Sequence, residues 1–150
     1  MISNPEPIFR QLALPTLKAT TAICKQAGIP SQIHCCGHEY DLVRISAEET
    51  DLSSINPLEV RPMGDCDLRQ VKAEFGSAIS LMGNLHTTDV MLRGTPEAVR
   101  TEALECLKKG APSMRYVMSN DCAVPRETNP ANVKAMRDVV REFGYYPLKI

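Results

Sequence analysis

The sequence lacks the features that mark membrane proteins, secreted proteins and nucleic-acid-binding proteins. No apolar run approaches the ~18 residues that a membrane-spanning helix needs, and residues 1–6 contain neither the basic nor the apolar segment of a signal peptide. Lys and Arg together number 17 against 18 for Asp and Glu, and no basic stripe or acidic block interrupts this balance. We therefore expect a cytoplasmic protein with no membrane partner and no nucleic-acid partner.

The chain also lacks low-complexity stretches, interdomain linkers and sequence repeats. A length of 150 residues with 43% hydrophobic residues is enough for one packed domain but not comfortably for two. We therefore expect residues 1–150 to form a single unit.

Short apolar runs alternate with longer segments of helical spacing. The runs predict buried strands over 32–36, 54–58, 79–82 and 116–119. Helices are predicted over 15–28, 40–50, 68–76, 95–110 and 129–144; in the clearest of them Thr95 caps the helix, Pro96 occupies its first turn and Gly110 stops it. The alternation predicts an α/β fold with a parallel sheet buried on both faces. Four such strands form either a small open sheet or half of an eight-stranded barrel.

Six cysteines in a chain expected to be cytoplasmic indicate free thiols or metal ligation rather than a disulfide framework. Cys24 and Cys106 fall within helical patterns, where a thiol packs as a small apolar group. His34 and Cys36 lie on one face at the end of the first predicted strand, and Cys122 follows the last strand. Because the carboxyl ends of parallel strands meet at one edge, these three side chains can form a zinc site with an open fourth position.

The same residues have other interpretations. His34 can be a hydrogen-bonded core histidine, with Cys36 and Cys122 as small apolar fillers. His38 and Cys66 are alternative ligands, although their positions are more typical of an exposed loop and of a turn.

Three further polar residues follow the predicted strands. Glu59 is a candidate acid, base or partner of a ligand histidine, and its alternative is a solvated loop charge. Asn84 offers a donor and an acceptor directly after Gly83, and its alternative is a turn residue. Asp121 either orients a ligand or caps the last helix.

Taken in order, six motifs resemble the C-terminal half of the uroporphyrinogen decarboxylase superfamily. The resemblance implies an (α/β)8 TIM barrel of which this chain supplies strands five to eight, with residues 1–14 similar to the exit from the preceding strand and a short helix. The motifs lie at 33–37, 55–59, 67–76, 81–85, 94–97 and 129–133.

The superfamily contains tetrapyrrole decarboxylases and zinc-dependent methyltransferases that act with corrinoid proteins. His34, Cys36 and Cys122 match the zinc ligands of the methyltransferase branch, whereas the acidic-Ser and Gly-His pairs of the decarboxylases are absent. The resemblance therefore implies Zn2+, a corrinoid (cobalamin) carried by a partner protein, and a small thiol or methyl-ether substrate. Glu59 and Asn84, which follow predicted strands, are the candidate catalytic residues, and Asn84 stands in a motif that both branches share.

Two alternatives are a tetrapyrrole decarboxylase and a noncatalytic metal-binding remnant. A complementary half-barrel or a second copy of the chain is the partner expected to close the ring.

Overall fold

The structure is a computed structural model that describes residues 6–150. The short helix expected near the N-terminus is present from Glu6 onward, and residues 1–5 lie outside the described residues. In chain order the elements are α1 (Glu6–Leu12), α2 (Leu14–Gln26), β1 (Gln32–His34), α3 (Tyr40–Glu49), β2 (Ser54–Asn56), α4 (Leu68–Phe75), β3 (Ser80–Leu85), a π-helical segment (Thr87–Leu92), α5 (Pro96–Gly110), β4 (Tyr116–Asn120) and α6 (Pro130–Phe143).

The four strands form one parallel sheet in the order β1-β2-β3-β4. Ile33 pairs with Ile55, Ile55 with Leu81, and Leu81 with Tyr116. Neighbouring helices from α3 to α6 pack on one another in chain order. The fold is therefore α/β with strands alternating with helices, as predicted, and it is half of a TIM barrel.

Two strands end earlier than the apolar runs predicted. β1 ends at His34, and only one further backbone bond, from Cys35 N to Asn56 O at 3.0 Å, continues its pairing. β2 ends at Asn56 because Pro57 has no N–H to donate and Leu58 adopts a φ of +65°. Cys36 and Glu59 consequently lie on loops, where side chains are not held to strand alternation.

The helix starts agree with the prediction to within one residue, whereas α2 ends at Gln26 rather than Gly28 and the role of Gly110 in α5 also differs. The Thr95 hydroxyl accepts a hydrogen bond from Ala98 N, and Asn129 Oδ1 accepts one from Ala131 N. Gly110 is the last residue of α5 rather than the residue that stops it. A Cβ at Gly110 would lie 2.5 Å from the Tyr116 ring, so close packing explains this glycine.

The prediction that the sheet is buried on both faces is wrong for this chain. The helices cover the face that carries Ile55, Leu81 and Leu85, each of which is fully buried. On the other face Gln32 and Val117 are exposed. This second face is the concave side of the half barrel. Within residues 6–150, no helix is both long enough and apolar enough to cross a membrane.

Candidate metal centre

The loops after β1 and β4 bring two thiols and an imidazole together at the carboxyl edge of the sheet. Cys36 Sγ lies 3.6 Å from Cys122 Sγ, although 86 positions separate the two cysteines. His34 Nε2 lies 3.3 Å from Cys36 Sγ. The topology thus brings the three predicted metal ligands to one edge of the sheet. His34 contacts Cys36 but is not part of the set of donor atoms, from Cys36, Glu59 and Cys122, that all lie within 4.8 Å of one another.

The separation of the two sulfurs and that of His34 Nε2 from Cys36 Sγ are close to those of a tetrahedral zinc site. Zinc–sulfur bonds of about 2.3 Å and a zinc–nitrogen bond of about 2.0 Å place two sulfurs about 3.8 Å apart and a nitrogen about 3.6 Å from each sulfur. The measured separations of 3.6 Å and 3.3 Å are slightly shorter than these values.

Asn56, the last residue of β2, favours the tautomer of His34 that leaves Nε2 without a proton. The Asn56 Oδ1 atom lies 2.7 Å from His34 Nδ1, and an amide oxygen can only accept a hydrogen bond. Nδ1 therefore carries the proton and Nε2 presents its lone pair toward Cys36. An orienting hydrogen bond of this kind is typical of histidines that bind metals.

Asp121 holds the loop that carries Cys122. Its carboxylate accepts a hydrogen bond from Thr87 N at 2.8 Å, and its own N–H donates to Leu85 O at 2.8 Å. The Thr87 hydroxyl also donates to Cys122 O at 3.4 Å. Asp121 therefore ties β4 to the start of the π-helical segment, and the alternative that it caps the last helix is wrong because Asn129 caps α6.

Glu59 lies in the same cluster and is buried. One donor atom each from Cys36, Glu59 and Cys122 lie within 4.8 Å of one another. The Glu59 Oε2 atom accepts a hydrogen bond from Gly37 N at 2.6 Å, and Gly37 reaches this position with a φ of +106° that favours glycine. The alternative of a solvated loop charge is therefore wrong, because Glu59 is only 7% exposed.

Acidic side chains and a second thiol surround Cys36. Partial burial raises the pKa of Cys36 to about 12, with further contributions from the neighbouring Cys122 thiol and from Glu59 and Glu39. Each of these effects penalises a thiolate in the metal-free chain. A divalent cation would reverse that penalty, because it binds the thiolate form and offsets the surrounding negative charge.

Asn84 is buried but has different neighbours. Its Nδ2 donates to Cys66 O at 3.2 Å, and its Oδ1 lies 3.9 Å from Cys106 Sγ on α5. It lines a cavity of ≈ 380 Å³ together with His86 and other residues. The contacts of Asn84 thus lie toward the helices, and its catalytic role remains a prediction.

The two alternative ligands also lie apart from the thiol pair. The His38 side chain is 59% exposed and lies 3.6 Å from Asp65. Cys66 is buried, and burial raises the pKa of its thiol. Cys24 and Cys106 lie within α2 and α5, as predicted.

Two residues of the site had no role in the sequence prediction. Asn56 stands in the motif at 55–59, and its position opposite His34 in the parallel register could have suggested the contact. Glu39 is fully buried before α3, and its Oε2 accepts a hydrogen bond from Leu58 N at 3.1 Å. No sequence signal distinguishes it from an exposed acid near a helix start.

Comparisons with known proteins place this geometry in a family context. Among curated relatives, the methylated-thiol–coenzyme M methyltransferase of Methanosarcina mazei is 28% identical over 91% of this chain. The methylcobamide:CoM methyltransferase MtbA of the same organism is 23% identical over 91% of the chain. A uroporphyrinogen decarboxylase of Chlorobium limicola is 28% identical over the same share.

The chain spans only 37% of each methyltransferase and 38% of that decarboxylase. A solved structure of a methyltransferase from Methanosarcina mazei superposes with a TM-score of 0.77 at 21% identity. The superposition covers 97% of this chain and 39% of the other, and it shows a shared fold. The uroporphyrinogen decarboxylase family model matches residues 5–143. The chain therefore belongs to the uroporphyrinogen decarboxylase family.

Proposed function

We propose that this chain carries the zinc-binding part of an enzyme that transfers a methyl group between a corrinoid protein and a thiol or methyl-ether substrate. The observation that carries the proposal is the approach of Cys36 Sγ to Cys122 Sγ at 3.6 Å, with His34 Nε2 at 3.3 Å from Cys36 Sγ. The similarity to two enzymes named as coenzyme M methyltransferases supports the same reaction class.

In this proposal His34, Cys36 and Cys122 hold the metal, and the protein sets the protonation of each ligand. Asn56 fixes the proton of His34 on Nδ1, which leaves Nε2 free to bind. The two thiols lose their protons when they bind. A zinc ion held there supplies Lewis acidity, which lowers the pKa of a substrate thiol or polarises an ether oxygen.

Glu59 has a separate role in the proposal. Its carboxylate is held by Gly37 N at 2.6 Å, next to the two thiols. From this position it can tune the charge at the cluster and accept a proton from an arriving thiol. Three ligands already match a zinc site with an open position, so metal retention does not require Glu59.

Zinc content tests the proposal directly. We expect about one zinc per wild-type chain by elemental analysis, and at least a tenfold loss in Cys36→Ser and in Cys122→Ser. Cys24→Ser is the matched control, because this half-buried thiol lies in α2 away from the cluster. Far-UV circular dichroism establishes that each variant is folded.

Two results would overturn the assignment. Equal zinc in the wild type and in all three variants would place the metal elsewhere. A zinc-free wild type that decarboxylates uroporphyrinogen would instead favour the decarboxylase function of relatives such as the Chlorobium limicola protein.

A further inference from the structure

A second polar feature lies at the opposite, amino end of the sheet. A cavity of ≈ 610 Å³ opens between α4 and α5, and five of its ten lining residues are cationic while none is acidic. The whole chain carries 17 basic and 18 acidic side chains, so this local excess is not a consequence of composition. The cationic residues are Arg69, Lys72, Lys108, Lys109 and Arg115.

Two of these cations are held in place by backbone carbonyls. The Arg115 guanidinium donates to Ser77 O at 2.7 Å and to Ala78 O at 2.9 Å. The Lys72 ammonium donates to Met114 O. Burial lowers the pKa of Lys72, and the charge of Arg115 lowers it further. An anion beside these two groups would favour the charged form of Lys72.

The backbone that presents Arg115 is strained. Ser113, Met114 and Arg115 have φ values of 62°, 64° and 55°, in a region that L-residues with side chains seldom occupy. Three successive residues of this kind persist only where the surrounding contacts hold them. The contacts that hold these three residues therefore also fix the position of Arg115 at the wall of the cavity.

Among the described residues, two other cations make no close contact with an acid, although their charges, with that of Lys108, lower the pKa of the nearby Glu105 carboxyl. Within the described part of the chain, Arg69 and Lys109 make no hydrogen bond and no ion pair, whereas Lys108 pairs with Glu105 at 2.8 Å. Arg69 belongs to α4 and Lys109 to α5, so positive charges without a hydrogen-bonded partner among residues 6–150 line the cavity from both helices. Their mutual repulsion would fall if an anion bound between them.

We infer that this cavity binds a small oxyanion with several negative charges, of the phosphate or pyrophosphate class. The volume falls within the range of ~300 to 1,000 Å³ typical of small-ligand pockets. Guanidinium groups bind phosphate oxygens through two parallel hydrogen bonds, and ammonium groups add point charges. The ligand site is thus built from groups on α4, α5 and the loop before β4.

The anion site is distinct from the metal centre. Arg115 directly precedes β4 and Cys122 follows its end, and a five-residue strand is about 17 Å long. A bound anion would therefore occupy the amino end of the half barrel without contacting the thiols. Loss of zinc binding and loss of anion binding are separable outcomes.

Calorimetric titration of the chain with inorganic pyrophosphate at low ionic strength, without added metal, tests the inference. Arg69→Gln and Lys109→Gln are each expected to weaken binding about tenfold, because each removes one charge-assisted contact. The matched controls are Arg126→Gln and Lys134→Gln, which remove exposed cations outside the cavity and are expected to leave binding unchanged.

Orthophosphate and citrate titrations separate phosphate recognition from simple charge attraction. The inference predicts that pyrophosphate binds more tightly than citrate and shifts the amide NMR signals of residues 108–116. Absence of pyrophosphate binding, equal weakening in all four variants, or equal affinity for citrate would each overturn it.

Discussion

Replacement of Glu39 by glutamine is expected to stabilise the chain at neutral pH by removing a buried ionisable group. Glu39 is fully buried, and its Oε1 has no hydrogen-bond partner among the described residues. Burial raises the pKa of its carboxyl to about 8, and the charges of Glu59 and Asp65 contribute to the increase. Glutamine has a similar shape, can accept the hydrogen bond from Leu58 N, and does not ionise.

The sign of the effect follows from the two protonation states. Below the ordinary pKa of 4.5 the Glu39 carboxyl is protonated in both the folded and the unfolded chain. Between pH 4.5 and about 8 the unfolded chain has released the proton, whereas the folded chain retains it. The contribution of Glu39 to stability is therefore complete below pH 4.5 and is lost as the pH rises through this window.

The magnitude is about 1.4 kcal/mol per pH unit within the window. Between about pH 5 and about pH 7.5 the wild type should lose about 3 kcal/mol of unfolding free energy relative to Glu39→Gln. Urea unfolding in the presence of EDTA measures this difference; because the chain has no tryptophan, far-UV circular dichroism follows the transition. The exposed Glu127→Gln is the matched control.

Two results would refute this account of Glu39. Parallel pH profiles for the wild type and Glu39→Gln would show that the carboxyl ionises normally in the folded chain. An effect of similar size in Glu127→Gln would assign the pH dependence to overall charge rather than to the buried carboxyl.

Three further changes test other features. Glu59→Gln should retain zinc yet slow methyl transfer in any reconstituted enzyme; unchanged turnover would argue against its role. Gly83→Ala should lower the free energy of unfolding in urea by about 3 kcal/mol, because the added Cβ would lie 2.1 Å from Pro57 O and the φ of residue 83 is +150°. In contrast, Gly28→Ala should lower it by about 1 kcal/mol, because there is free space around Gly28. The isolated chain should self-associate in light scattering through its two sheet edges; a stable monomer active in methyl transfer would contradict this.

The helices and the parallel sheet could be predicted because their signals are local or topological. Thr95 and Asn129 cap their helices whatever lies around them, and strands alternating with helices produce a parallel sheet. The ends of the strands could not be predicted, because they depend on where the hydrogen bonding between neighbouring strands stops. Pro57 and the positive φ of Leu58 end β2 within an apolar run that has no break in hydrophobicity.

The same distinction applies to the site. That Cys36 and Cys122 lie at the same edge of the sheet follows from the topology of parallel strands, whereas their approach to 3.6 Å also depends on the curvature of the sheet. The side of the sheet on which the Asn84 side chain lies does not follow from the topology. Strand alternation would place it opposite Leu81 and Leu85, yet it contacts Cys106 on α5 because the alternation is interrupted at Gly83.

The position of the cluster relative to the sheet explains why a metal there would also act on the fold. Cys36 follows β1 and Cys122 follows β4, the two outer strands of the sheet. Adjacent strands lie about 4.8 Å apart, so the two edges of a flat four-stranded sheet would be about 14 Å apart. The approach of the thiols to 3.6 Å requires a curved sheet and loops that lean inward. A zinc ion bound there would join segments 86 positions apart and hold that curvature, so metal binding and folding of the half barrel would be coupled.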